Sequence, residues 1–69
     1  MWRILIYYDD IFGCETNITH GLYSSKAKAN TEYGKIRNIK TYRFKESFPG
    51  MIACTREIEV NRVVLEKID

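Results

Sequence analysis

Soft metal ligands are scarce in this chain: Cys14, Cys54 and His20 are the only ones among 69 residues. A structural zinc site needs four ligands, usually with cysteines paired two to four residues apart, and no such pair occurs. No metal and no cofactor are therefore expected, and two cysteines are too few for a secreted disulfide framework. Apolar runs are equally short. The longest, Ile4 to Tyr8, stops at Asp9-Asp10, too brief for a membrane span or a signal-peptide core, so the expectation is a cytoplasmic protein with no membrane partner. Pro49 is the only proline and the four glycines are scattered, which leaves no linker, repeat or low-complexity tract and predicts one domain over residues 1–69.

The same scarcity argues against an enzyme. A Cys-His nucleophile needs an orienting acid and an oxyanion hole, and there is no glycine-rich turn to build one. Asp9, Asp10 and Glu15 lack the every-second-residue oxygen ligands of a calcium loop. A chain this short buries only about 60% of the surface its unfolded form exposes, which leaves little room for a buried cleft.

Aromatic and β-branched residues are plentiful. Residues 2–8 carry them on both faces, the pattern of a central strand. Asp9 to Glu15 reads as a loop, and Thr16 to Tyr23, which alternates weakly, as a second strand antiparallel to the first. Ser24-Ser25 offers an N-cap oxygen for a helix running to about Asn38, with Ala29, Tyr33 and Ile36 as its apolar stripe and Lys28, Glu32 and Lys35 on the other side. Gly34 is costly in a helix, so its presence suggests close approach to a strand.

Thr41 to Lys45 alternates polar with aromatic, as an edge strand does, and Phe48-Pro49-Gly50 has the order of a type II turn. From Met51 the chain reads as strand, with Arg56, Ile58 and Val60 on one face and Thr55, Glu57 and Glu59 on the other. Val63 to Leu65 continues it after a bulge or turn at Asn61-Arg62. The predicted fold is α+β: a small, mostly antiparallel sheet with one helix on one face, in the order β-β-α-β-β, with room for a last short strand.

The strand Ile4-Leu5-Ile6-Tyr7-Tyr8, the turn Gly21-Leu22-Tyr23-Ser24-Ser25, the helical Ala27 and Ala29, and the strand Glu57 to Val60 together resemble a loose group of short phage and bacterial proteins of unknown function. The resemblance covers roughly residues 3–61. It implies a fold and a phage-type origin in a host cytoplasm, and no activity. The glycine in the helix, the single acid there and the extra residues 62–69 depart from the group's pattern.

Charge is unevenly distributed. Residues 1–23 set Asp9, Asp10 and Glu15 against Arg3, and residues 46–69 set five carboxylates against three bases. Between them, Lys26, Lys28, Lys35, Arg37, Lys40, Arg43 and Lys45 face only Glu32. The expected function is a non-enzymatic binding module, with Lys28, Lys35, Arg37, Lys40, Tyr42, Arg43 and Lys45 as its contact residues and a host protein with an acidic surface as its partner. Tyr33, Tyr42 and Phe44 interleave with these bases, so single-stranded nucleic acid is the alternative partner. A homodimer through Thr41 to Lys45 or Val63 to Ile68 is the third reading.

Overall fold

Strand β1 (Trp2–Asp9) has Ile4, Leu5 and Ile6 all buried, the two isoleucines completely. Such burial needs cover on both faces and neighbours on both sides, and β1 is the middle strand of an antiparallel three-stranded sheet, flanked by β2 (Glu15–Tyr23) and β5 (Arg62–Lys67). This is the computed structural model of the chain; it describes residues 1–46, Gly50 and residues 54–68.

The β1–β2 register runs from Trp2 opposite Tyr23 to Ile4 opposite Gly21, then jumps to Leu5 opposite Thr19. His20 is the extra residue of a β-bulge. A bulge flips the alternation of the strand that carries it, so Ile18 and Tyr23 both reach the core face despite their odd separation. The weak alternation of this segment in the sequence has its cause here.

The remaining strands form a second sheet. Strand β3 (Thr41–Glu46) pairs antiparallel with β4 (Cys54–Glu59). The chain then crosses to the first sheet at Val60-Asn61: the Val60 N–H donates to the Lys40 carbonyl at 2.9 Å, and the Asn61 N–H to the Tyr7 carbonyl at 2.8 Å. The register reset expected at Asn61-Arg62 is thus a change of sheet, and β5 pairs with β1 instead of continuing β4. The type II turn and the strand start at Met51 fall on Phe48, Pro49 and Met51, outside the described residues. Gly50 has φ 77°, a conformation that glycine adopts without strain.

Helix α1 (Lys26–Ile36) buries Ala29 completely and half-buries Tyr33 and Ile36, the stripe expected of it. It stops two residues short of Asn38. The Arg37 N–H closes the last turn on the Tyr33 carbonyl at 2.8 Å, and a tight turn from Ile39 N–H to Ile36 carbonyl swings Ile39 into the core. Ser25 stands at the N-cap in extended conformation, yet its side chain makes no capping bond; the first helical bond reaches its carbonyl from the Ala29 N–H.

Gly34 does not mediate a close approach. It is exposed, and a Cβ placed there would meet nothing within 4 Å. With ordinary helical backbone and open space, Gly34→Ala removes only the glycine's entropic penalty, so the variant should be more stable by about 0.5–1 kcal/mol in a urea titration.

The helix and the β3–β4 hairpin sit on the same face of the three-stranded sheet. Ile4, Ile6, Ile18, Val63 and Leu65 rise from the sheet to meet Tyr33, Ile36, Tyr42, Phe44 and Ile58. Along β3, Tyr42 and Phe44 turn inward while Thr41, Arg43 and Lys45 are exposed; along β4, Ile58 is buried and Thr55, Glu57 and Glu59 are exposed. The opposite face of the sheet is roofed by long side chains. Arg3 Nε donates to Glu66 at 2.8 Å, and the Arg62 guanidinium lies 4.1 Å from the centre of the Tyr7 ring while bonding Glu15 at 2.9 Å. Among the described residues no helix is long and apolar enough to cross a membrane.

Candidate docking surface and the polar junction beneath it

The seven residues expected to contact a partner occupy two adjoining elements and the turn between them. Lys28 and Lys35 lie two turns apart on one flank of α1, Arg37 caps its C-terminus, Lys40 leads into β3, and Arg43 and Lys45 stand on the outer face of β3. Tyr42 differs from the rest. Its ring turns inward, so it belongs to the support of this surface and not to its exterior.

Cross-strand pairing alters the charge seen from outside. Arg43, whose nearest acid in sequence is Glu46, faces Glu57 across the β3–β4 ladder and bonds it at 3.1 Å. Lys35 is 3.9 Å from Glu32. Lys28, Arg37, Lys40 and Lys45 are exposed and make no ion pair among the described residues. These four cations are what an approaching partner meets.

The aromatic residues of the same segment are committed elsewhere. Phe44 tilts against Tyr8 at 6.4 Å and stacks on Tyr42 at 6.1 Å, Tyr42 meets the His20 ring edge-on at 5.5 Å, and Tyr33 points its hydroxyl at the Val63 carbonyl. A groove that reads single-stranded nucleic acid stacks bases on exposed rings. Here the three rings pack against the core while the cations face solvent.

Beneath the surface, the bulge aims His20 at two elements at once. His20 Nδ1 lies 2.8 Å from the Tyr42 hydroxyl on β3 and Nε2 lies 3.1 Å from Glu32 Oε1 on α1. A carboxylate only accepts, so Nε2 carries a proton in either charge state, and in the neutral ring Nδ1 accepts from the Tyr42 O–H. The resulting chain, Lys35 to Glu32 to His20 to Tyr42, joins two of the expected contact residues through one histidine.

A hydroxyl, an imidazole and a carboxylate in a row invite comparison with a catalytic relay, but the phenol's tuning runs the other way. Burial, then the neighbouring Tyr23, holds the Tyr42 hydroxyl above its ordinary value, whereas a nucleophile or base needs it lowered. Tyr23 is likewise raised, by burial and then by the Glu32 charge. The junction fastens β2, α1 and β3 together. Among the described residues no cluster of His, Cys, Asp and Glu could hold a metal ion.

Sequence reasoning missed one exposed feature, the β1–β2 turn, which it took for an ordinary loop. The Asp10 carboxylate accepts the N–H groups of Phe12 and Cys14, both at 2.9 Å, the Asp10 N–H donates to the Cys14 carbonyl at 2.8 Å, and Gly13 takes φ 79°. The intervening Ile11 and Phe12 are each 84% exposed on this pinned backbone. An Asp followed three residues later by Gly between two strands was the available signal. Beside the turn, Asp9, Arg56, Glu57, Ile58, Glu59 and Asn61 line an open cleft of about 270 Å³. Asn61 bridges Asp9 and Glu15, and the bond from Arg62, then that from Asn61, holds the Glu15 carboxyl below the usual range. Comparison of the chain with protein-family models, with curated proteins and with solved structures returns no match.

Proposed function

We propose that this chain is a non-enzymatic protein-binding module, a small accessory protein of the phage type that its sequence resembles, which docks on an acidic surface of a host protein and modulates it. The observation that carries the reading is the separation within residues 26–45: the rings of Tyr33, Tyr42 and Phe44 turn inward while Lys28, Arg37, Lys40 and Lys45 remain exposed and make no ion pair among the described residues. Unpaired surface cations without exposed rings suit an acidic protein surface, where long-range attraction raises the association rate by roughly 10 to 10³-fold at low salt.

The test compares the chain with the variant Lys28→Glu, Lys40→Glu, Lys45→Glu. All three side chains are exposed, so the fold is expected to survive. Affinity recovery from bacterial lysate should yield a stoichiometric protein partner with the parent chain, and the purified partner should associate with the variant at least about tenfold more slowly. No stoichiometric partner at low or moderate salt, or equal rates for both chains, overturns the proposal. Tight binding of a single-stranded oligonucleotide by the parent, weakening steeply with salt, would replace it with a nucleic-acid function.

A further inference from the structure

Among the described residues, the four large apolar side chains that are most exposed fall at opposite ends of the three-stranded sheet. Ile11 and Phe12 stand on the pinned β1–β2 turn, while Met1 and Leu22, 59% and 58% exposed, lie at the other end of β1. Leu22 is opposite Arg3, on the face away from the helix, and Met1 is one diagonal step from it on that face. The two ends also differ in charge.

At the turn end stand Asp9, Asp10 and Glu15, with Glu57 and Glu59 on the adjoining cleft; the arginines there, Arg62 and Arg56, are bonded to Glu15 and Glu46. At the far end Lys67 is exposed opposite Trp2 and Lys26 lies 5.4 Å over the Trp2 ring, while Glu66 is taken up by Arg3. Asp69 is outside the described residues. Glu57 is taken up by Arg43, so among the described residues the charges that make no ion pair are Asp9, Asp10 and Glu59 at the turn and Lys26 and Lys67 at the far end, where Lys67 stands on the sheet face opposite to Leu22.

We infer that the turn end of one copy docks on the far end of a second copy, with Ile11 and Phe12 against Leu22 and Met1, and Asp9 and Asp10 toward Lys26 and Lys67. The occupant is argued from complementarity: the chain presents both halves of the contact, apolar pair to apolar pair and acid to base. Because the two halves are different surfaces, the contact is head-to-tail and propagates, unlike a two-fold dimer. The turn reaches its partner already ordered, since the Asp10 bonds and Gly13 fix it before contact. Two side chains on each side make a contact far below the ~1,200 Å² of a stable complex, so the association is weak and governed by concentration.

Sedimentation equilibrium in low salt and reductant, carried to about 1 mM, tests this in the range where small interfaces associate. Average mass should rise steadily with concentration and fall back when salt is raised, as screened charges require. A turn-blocked chain, Ile11→Ser with Phe12→Ser, and a far-end-blocked chain, Leu22→Glu with Lys67→Glu, should each remain monomeric while keeping the parent's far-ultraviolet circular dichroism. Mixed in equal amounts they should form a one-to-one pair and go no further, since each retains the half the other lacks. A parent chain monomeric at every concentration overturns the inference. So does a far-end-blocked chain that dimerises alone, which would mean turn-to-turn contact, and so does a mixture that stays monomeric.

Discussion

Ile6→Ala is expected to remove most of the chain's folding stability. A domain of this length holds about 3–10 kcal/mol in total, at the usual stability per residue. Ile6 is completely buried at the middle of β1, flanked by Ile18 on β2 and Val63 on β5 and covered by the cluster that includes Ile58. Truncating such an isoleucine costs about 2–5 kcal/mol, because lost transfer energy adds to the cavity left behind. Among the described residues the buried apolar set is small: Ile4, Leu5, Ile6, Ala29, Ile58 and Val63. A core of that size has little capacity to close around a void. The check is a urea titration followed by circular dichroism, with Ile6→Val beside it as a graded control expected to lose only about 0.5–1.5 kcal/mol. If Ile6→Ala unfolds at nearly the parent's midpoint, the two sheets do not share this core.

His20→Ala should be the next most damaging change, at about 1–3 kcal/mol, although the residue sits at a bulge and not in the apolar core. The loss comes from what remains behind: the Tyr42 hydroxyl and the Glu32 carboxylate are part-buried and lose their partner on the ring. Tyr42→Phe separates the contributions, since it deletes the hydroxyl and keeps the ring against Phe44. Once His20 is gone the hydroxyl has no partner, so adding Tyr42→Phe to His20→Ala should cost almost nothing more, and could recover some stability. The measured coupling between the two sites should fall within about 0.5–3 kcal/mol, the range for residues in one network. Strict additivity in the same urea titrations would mean that the bonds do not act together.

The element order was legible because it rests on local pattern. Burial on both faces of Ile4-Leu5-Ile6, the stripe Ala29, Tyr33 and Ile36, and the alternation of Tyr42 and Phe44 with Thr41, Arg43 and Lys45 are each set within a few residues of chain. What escaped depends on pairings that sequence distance hides. Glu57 meets Arg43 only because β3 and β4 run antiparallel, and that contact cancels a charge that looked unopposed. The division into two sheets turns on Asn61, whose N–H bonds to Tyr7, a residue far away in the chain. The bulge at His20 was visible only as poor alternation, with nothing to say which residue was extra. Gly34 misled because a costly residue suggests a compensating contact, and there is none to find. At the candidate surface the identities of the exposed cations were legible. The inward turn of Tyr42 and its bond to His20 were not, since they join β2 to β3 across the helix.

The pairing of Trp2 with Lys67 has a consequence for how the protein is made. As the chain leaves the ribosome, β1 and β2 emerge first, and a lone hairpin of this kind is at best marginally stable in water. The other edge of β1 has to wait for β5, which follows the helix and the other four strands in the chain, and Val63 arrives with it. Closing contacts between strands as far apart in sequence as β1 and β5 is the slow kind of folding step, because the entropy of a long loop is lost before any of its contacts form. During synthesis β1 therefore presents an open edge and one uncovered isoleucine face, which makes the nascent chain, rather than the finished domain, the form most exposed to aggregation and to chaperones.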